Sequence, residues 1–354
     1  MDIVQFKCPN CGGSVVFDPN TQKHVCEYCM SDFTEEELQQ IQGLENSSED
    51  TYTIPNEEQQ EEFNSHTNLY ICDSCGAEII ADENTAASFC YYCHNPVALK
   101  GRLTGDCRPE LIIPFKFTRE QTLEKYKEWC GKKWFVPGDF TSQSQLEKIT
   151  GLYVPFWLAD CTVNAQMHGE GRIVTSHRMG DYQITNTKVF SVERGATLEY
   201  KGVPADGSKK LDDRLMDSVE PFNYKEFVPF SMSYLSGFYA DKYDVSKAEV
   251  LPRIKQRVEQ GSQDVLMNDI HGYTSVVPDF RRTQIIRTNW HYTMLPVWFM
   301  TYKYNGKDYF FGMNGQTGKV TGILPVSVPK LIGFAAGLLI GVGIIAGLIG
   351  GAIF

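Results

Sequence analysis

The N-terminal part of the sequence almost lacks basic residues. Residues 1–99 contain eighteen Asp and Glu but only Lys7 and Lys23, which gives this part a net charge of −16. The whole chain carries −11, so the other 255 residues carry +5. Neutralising the phosphates of a nucleic acid takes Lys and Arg side chains. The stretch 24–99 has neither, and it is therefore a poor candidate for gripping a phosphate backbone.

The patterns of common catalytic sites are also missing. The sequence has no HExxH, no GxSxG and no GxGxxG after a strand. The nearest approach to a phosphate loop is 312–320, where the spacing is one residue too long and Val320 replaces the Ser or Thr that would bind Mg²⁺. The seven histidines are scattered, and Cys161, near His168, is typical of a core residue on an apolar strand. We therefore expect no catalytic residues and no enzyme activity.

The two ends of the sequence indicate different things. The start lacks a basic region followed by an apolar one, so no cleavable signal peptide is expected. Residues 331–354 carry no charge, and a helix of this length is roughly 36 Å long, enough for a bilayer core of about 30 Å. We predict a single C-terminal transmembrane helix there. Lys319 and Lys330 precede it, which favours a cell-membrane protein whose bulk faces the cytoplasm.

Eight of the eleven cysteines form four CxxC pairs, an arrangement typical of metal ligation in a reducing compartment. The pairs combine into two sets with the spacing C-x2-C-x14-C-x2-C. Four thiolates complete a tetrahedral shell and leave no open position for catalysis, so we predict two structural Zn²⁺ ions. Iron bound by four cysteines is the chemical alternative. The expected ligands are Cys8, Cys11, Cys26 and Cys29 for one ion, and Cys72, Cys75, Cys90 and Cys93 for the other.

The two cysteine sets belong to an internal repeat with a shift of 64 residues. Besides the cysteines, Tyr28 matches Tyr92, and each precedes the last cysteine of its set. The repeat indicates one module present twice. Between the modules, 34–66 is expected to form a short acidic helix capped by Thr34 and Glu37, followed by a flexible linker.

The predicted fold class is α+β. We divide the chain into a first zinc ribbon at 1–33, the acidic helix and linker at 34–66, a second zinc ribbon at 67–100, a cytoplasmic α+β domain at 101–327 and the transmembrane helix at 331–354. In the α+β domain, 152–175, 187–203 and 227–240 are expected strands, and Asn305-Gly306 predicts a hairpin turn. The stretch Pro155-Phe156-Trp157 recurs as Pro296-Val297-Trp298, a weak sign of a second repeat. The five tryptophans are expected in the core.

Glycines of the C-terminal segment form two series in which small residues recur every four positions. Such series let helix backbones approach closely in lipid. They indicate a packing face for a membrane partner or for a second copy, with a generic glycine-rich span as the alternative. The first series is Gly333, Gly337 and Gly341, and the second is Gly343, Gly347 and Gly351.

The cysteine modules CPNCGGSVVFDPNTQKHVCEYC and CDSCGAEIIADENTAASFCYYC resemble zinc ribbons of the transcription-factor-IIB type. With the stretches IIPFKFTREQTLEKYKEWCGKKWFVPGDF, ITGLYVPFWLADC and GMNGQTGKVTGILP, the chain resembles bacterial membrane-anchored zinc-ribbon proteins encoded beside phage shock protein A in Bacillus-type envelope-stress operons. The resemblance covers nearly the whole chain. It implies an adaptor that recruits phage shock protein A-type partners to the membrane.

We therefore expect a membrane-anchored zinc-ribbon scaffold whose partners are the lipid bilayer, membrane proteins and cytoplasmic proteins, and which could self-associate through its glycine-rich helix. Two alternatives remain open at this point. A zinc-ribbon protein that binds nucleic acid would need basic residues that 24–99 lack. An enzyme housed in the middle domain would need a pocket with convergent polar groups.

Overall fold

The computed structural model describes residues 8–11, 13–41, 55–82, 89–95, 97–102 and 108–353. The first module contains β1 (Val15–Asp18), β2 (Lys23–Cys26) and β3 (Asp32–Phe33), which form an antiparallel sheet, and α1 (Glu35–Ile41) follows. The predicted cap of α1 is confirmed. The Thr34 N–H donates to the Glu37 carboxylate at 2.8 Å, and the Glu37 N–H donates to the Thr34 hydroxyl at 3.2 Å.

The expectation of a flexible linker up to residue 66 is wrong for its last part, since α2 (Glu57–His66) occupies it. Asn56 caps this helix through a capping box with Gln59. Phe63 is buried, and its ring meets that of Phe230 edge to face at 5.5 Å. The acidic composition is typical of a linker, so the helix was not predicted. Its one buried apolar residue packs against an aromatic side chain of the middle domain. Residues 42–54 lie outside the described part.

The remaining elements follow in chain order. They are β4 (Thr67–Ile71), β5 (Glu78–Asp82), β6 (Ala98–Arg102), β7 (Leu111–Ile112), α3 (Arg119–Gly131), α4 (Gln143–Leu146), β8 (Thr150–Met179), β9 (Tyr182–Asp206), α5 (Asp213–Val219), β10 (Val228–Pro229), β11 (Tyr239–Asp241), α6 (Lys247–Asn268), β12 (Ser275–Tyr304), β13 (Lys307–Asn314), β14 (Val320–Gly322) and α7 (Val328–Ile353). Short 3-10 turns occupy Gly138–Thr141, Tyr224–Glu226 and Met232–Leu235. The architecture is mixed α+β, as predicted.

Among the described residues, eleven strands form one sheet, ordered β10-β7-β12-β8-β11-β5-β4-β6 with β9, β13 and β14 attached beside this path. Its centre is the antiparallel pair β8–β12, which extends from Thr150 opposite Phe299 to Arg172 opposite Ser275 with register shifts between Pro278 and Phe280 and between Ile285 and Arg287. The predicted hairpin at Asn305-Gly306 joins β12 to β13, and both residues have positive φ, 50° and 74°. The predicted strand at 227–240 is mostly wrong, because a 3-10 turn separates the short strands β10 and β11.

The structure supports the second repeat, because the two proline-containing stretches make equivalent strand pairings. Ile112 of β7 pairs with Met294, two residues before Pro296, and Ala240 of β11 pairs with Tyr153, two residues before Pro155. Each short strand is followed by a capped helix whose cap, Thr118 or Ser246, lies six residues on. The halves therefore exchange their first strands, and each half completes the sheet of the other.

The core lies where these halves meet. Phe115 is fully buried and stacks on Phe238, with ring centroids 4.2 Å apart and an interplanar angle of 8°. It also meets Tyr153 and Trp298 edge to face. Trp157 and Trp298 belong to this core, and Trp129 and Trp290 pack against it, as predicted. Trp134 contradicts the expectation, since 74% of it is exposed.

In the part of the chain that the structure describes, no helix has the length and apolarity needed to cross a membrane. The assignment of 331–354 as a transmembrane helix stays a prediction.

Replacing Phe115 with Ala should lower the free energy of unfolding by about 3–5 kcal/mol, because the change leaves a cavity among three aromatic rings. Denaturant unfolding followed by circular dichroism measures this. Tyr182→Ala is the matched control, since Tyr182 is 78% exposed at a hairpin turn and its loss should cost less than about 0.5 kcal/mol. Equal costs would contradict the central place of Phe115.

Candidate metal centres

The structure brings each predicted set of four cysteines together. In both sets all four Sγ atoms lie within 4.8 Å of one another. The Sγ atoms of Cys8 and Cys29 are 3.4 Å apart, and those of Cys72 and Cys93 are 3.5 Å apart. A tetrahedral ion with metal–sulfur bonds of about 2.3 Å requires sulfur–sulfur distances of about 3.8 Å. The donor sets therefore fit a four-thiolate metal ion, and each could hold one.

The backbone around the cysteines forms the tight turns that such an ion needs. The Cys72 N–H donates to the Ala77 carbonyl at 3.0 Å, and the Cys90 N–H donates to the Asn95 carbonyl at 2.7 Å. The turns are closed by residues of positive φ, which include Gly76 at 70°, Met30 at 59° and His94 at 61°. Met30 and His94 occupy equivalent places in the internal repeat, so the two modules share this local geometry.

The surroundings of the thiols shift their pKa values in opposite directions. A hydrogen bond with the Ser31 hydroxyl lowers the pKa of Cys29 to about 6. Burial instead raises the pKa of Cys90 above its ordinary range, because a thiolate there loses its contact with water. A cation beside Cys90 would compensate for that loss. The donor chemistry is consistent with zinc.

The second module is built into the body of the protein. Its strand β5 pairs with β11, opposite Ala240 and Asp241. Tyr92 donates a hydrogen bond of 2.6 Å to the Asp241 carboxylate, and Tyr91 donates one of 3.3 Å. Ser208 donates a third, at 2.5 Å. Asp241 is 3% exposed, and its burial raises the pKa of the carboxyl to about 7 although these bonds oppose the shift.

His94 also joins the second module to the body. Its ring Nε2 lies 2.8 Å from the Thr301 hydroxyl, and that hydroxyl donates to the Tyr92 carbonyl at 2.7 Å. His94 directly follows Cys93 in the sequence, whereas nothing in the sequence pointed to Asp241, Ser208 and Thr301. These residues lie more than a hundred positions away and form no local motif. The sequence signal for this contact was the Tyr-Tyr pair inside the last CxxC, because two adjacent large rings favour burial against another part of the protein.

The first module packs on the body through a different face. Phe17 meets Tyr234 edge to face with ring centroids 5.2 Å apart, and its N–H donates to the Ser236 carbonyl at 3.4 Å. Gly237, at φ 86°, allows this approach, because a Cβ there would lie 2.6 Å from a methyl group of Val16. Both modules are therefore packed on the middle domain. The knuckle that carries Tyr28 remains outside, and Tyr28 is 76% exposed.

The other sequence candidates hold no catalytic constellation within the described residues. In the turn at 312–320, the Asn314 side-chain oxygen accepts from the N–H groups of Gln316 and Thr317, so these groups do not point to a ligand. Cys161 is buried beside Thr288, and burial raises the pKa of its thiol. His168 instead faces Glu193 at 3.2 Å. The expectation of no enzyme activity stays a prediction.

A cavity of about 710 Å³ lies between β9, α5 and α6. Its charged side chains pair with one another: Arg253 contacts Asp206 at 2.7 Å and Asp213 at 3.0 Å. Lys209 pairs with Glu249 at 3.0 Å. Neither a histidine nor a cysteine is among the described residues that line it. These pairs tie α5 and the end of β9 to α6.

The helix-packing glycines were predicted on α7. A Cβ added at Gly333, Gly337, Gly341 or Gly343 would meet no atom within 4 Å, so this face carries no contact in the single chain. Gly347 and Gly351 lie beyond the side chains that the structure describes. A packing role for all six glycines stays a prediction.

Comparison with known proteins gives one informative relative. The chain is 32% identical over 340 residues to a Bacillus subtilis (strain 168) protein that bears the name Uncharacterized protein YdjG, and the match covers 95% of this chain and 94% of the relative. No family model matches the chain. No solved structure matches it either.

Metal analysis of protein purified without added metal should give about two zinc ions per chain, one for each set of four thiols. Cys72→Ser should reduce this to about one. It should also lower the melting temperature more than Cys8→Ser does, because β5 lies within the large sheet and β1 does not. Iron in place of zinc, or disulfides within the modules, would contradict the assignment.

The internal repeat supplies a matched pair of tyrosine variants. Tyr92→Phe removes a donor from the buried Asp241 carboxylate and should cost about 1.5–3 kcal/mol of stability. Tyr28→Phe changes the equivalent but exposed residue and should stay within about 0.5 kcal/mol of the unchanged protein. Denaturant titration in the presence of zinc compares them. Similar costs for the two variants would show that Asp241 does not anchor the second module.

Proposed function

The chain belongs to the same family as the Bacillus subtilis protein YdjG, and we propose that it is a membrane-anchored zinc-ribbon adaptor. The observation that carries the proposal is the pair of four-cysteine centres. A centre of four thiolates keeps no position for a substrate, so its contribution is to fix a small surface rigidly. A rigid surface on a stable body suits protein–protein recognition.

The charge distribution supports an adaptor that works beside a membrane. The N-terminal part carries −16, which disfavours contact with anionic lipid and with nucleic acid alike. The exposed knuckle of the first module, with Tyr28 at 76% and Met30 at 74% exposed, offers apolar contact area away from the body. Nucleic-acid binding remains the weaker candidate, because the described residues of this knuckle, 26–30, include an aromatic but no basic residue.

The resemblance to envelope-stress proteins gives the proposal its finer form. The adaptor would recruit a phage shock protein A-type partner to the cell membrane, with the bulk of the chain facing the cytoplasm. The apolar segment 331–354 would be the anchor. Its glycine series would provide the face that docks a membrane partner or a second copy.

Replacing Gly337 and Gly341 with Leu tests the docking face. The larger side chains should hold two helix backbones apart while the segment stays apolar, so the protein should remain in the membrane fraction but lose its co-purifying membrane partner or its own dimer. Detergent extraction followed by affinity purification of the tagged full-length protein measures this.

Leu338→Ala and Leu339→Ala provide the control, because they change residues beside the glycine series and leave its small face intact. The control variant should keep the complex. Retention of the complex by the Gly→Leu variant would show that the segment is a passive tether. A chain that fractionates as a soluble protein would overturn the anchor itself.

A further inference from the structure

The loop between α3 and the following 3-10 turn combines an exposed aromatic with adjacent lysines. Trp134 is 74% exposed, although large aromatics normally bury most of their area. Lys132 and Lys133 precede it directly and are also exposed. Lys132 makes one exposed ion pair at 2.7 Å, with Glu128 of α3. Such a pair is weak in water, so both lysines remain available to anions.

The same loop is attached to the beginning of α7. The ring of Phe334 packs edge to face against Trp134 at 5.9 Å and against Phe135 at 5.4 Å. The Ser327 N–H donates to the Phe135 carbonyl at 2.6 Å, and the Lys330 ammonium donates to the Val136 carbonyl at 2.7 Å. The loop is therefore held beside the first turns of the apolar helix, on the side where the helix leaves the body.

Further apolar side chains extend this patch. Ile323, Val326 and Val328 are 66%, 53% and 55% exposed and lead directly into α7. Three exposed aliphatic residues, one exposed indole and three lysines near the start of an apolar helix have the composition of a membrane–water interface. Trp prefers the headgroup level, and lysines near a helix end reach towards phosphate groups.

We propose that the loop 132–137, led by Trp134, is a second membrane contact that binds anionic phospholipid headgroups beside the anchor. The inference rests on the proposed anchor, because α7 positions the loop at the bilayer surface. The indole would lie at headgroup level, and Lys132 and Lys133 would contact lipid phosphates. With the loop in the interface and the helix across the bilayer, the body would keep one orientation relative to the membrane.

Fluorescence quenching in vesicles tests the contact with the full-length protein. The vesicles contain phosphatidylcholine and phosphatidylglycerol whose acyl chains carry bromine close to the headgroup. The emission lost on replacing Trp134 with Phe defines the Trp134 component. We expect brominated lipid to quench most of this component. Lys132→Glu combined with Lys133→Glu should reduce the quenching in phosphatidylglycerol vesicles but not in vesicles of phosphatidylcholine alone.

A relocated indole is the matched control. Tyr182 is equally exposed, but it lies at the far end of the long β8–β9 hairpin. In the variant Trp134→Phe with Tyr182→Trp, the new indole should remain unquenched.

The vesicle experiment separates failure of the contact from failure of the anchor. Protein that floats with the vesicles while Trp134 stays unquenched would overturn the lipid contact and leave the anchor intact. Protein that does not float would overturn both. Emission that changes with the protein-to-lipid ratio instead of with bromine would assign the loop to a contact between copies and so overturn the lipid contact. Quenching unaffected by the lysine substitutions would overturn the role of anionic headgroups.

Discussion

The antiparallel pairing of β8 with β12 is the constraint on which the rest of the structure depends. Within the described residues, every other strand of the large sheet joins one of these two strands directly or through a series of neighbouring strands. Because β7 pairs with β12 while β11 pairs with β8, each half of the body is completed by a strand from the other half. Neither half has its full sheet alone. The aromatic core around Phe115 forms only when both are in place.

The metal centres are coupled to this body in different degrees. The second module contributes three strands to the large sheet, and its tyrosines end on a carboxylate that is 3% exposed. Metal bound there would stabilise the body as well as the module, since metal binding free energy becomes folding free energy when the ligands are ordered only in the folded state. The first module keeps its own small sheet and rests on the body through Phe17. Its outer knuckle remains free of the body and provides the surface on which an adaptor role would depend.

Charge and exposure are arranged in a consistent direction along the chain. The strongly acidic part is N-terminal, and the exposed Trp134 with its neighbouring lysines lies at the beginning of the C-terminal helix. The acidic part and the proposed lipid contact are therefore separated along the sequence. Both the proposed adaptor and the proposed lipid contact depend on this separation.

The sequence by itself determined the local features of this protein. The spacing of the cysteines fixed both ligand sets, because a CxxC turn positions its two thiols through neighbouring backbone bonds. The caps at Thr34, Thr118 and Ser246 and the turn at Asn305-Gly306 were equally local, and each was predictable. The helix α2 was not predicted, because its composition is that of a linker. Its one buried apolar residue, Phe63, packs against Phe230, a contact that the local sequence does not reveal.

Only the tertiary structure decided how the two related modules differ in their contacts. Tyr28 and Tyr92 occupy the same place in the repeat, yet one is exposed and the other is hydrogen-bonded to Asp241, 149 residues away. The adjacent Tyr91 is the one local difference that points to burial at Tyr92, and the partner depends on which distant surface the chain brings to each knuckle. Trp134 is the opposite case, a residue expected to be buried that is exposed. As a tryptophan it was expected in the core, but the packing of its loop against the start of α7 leaves it at the surface.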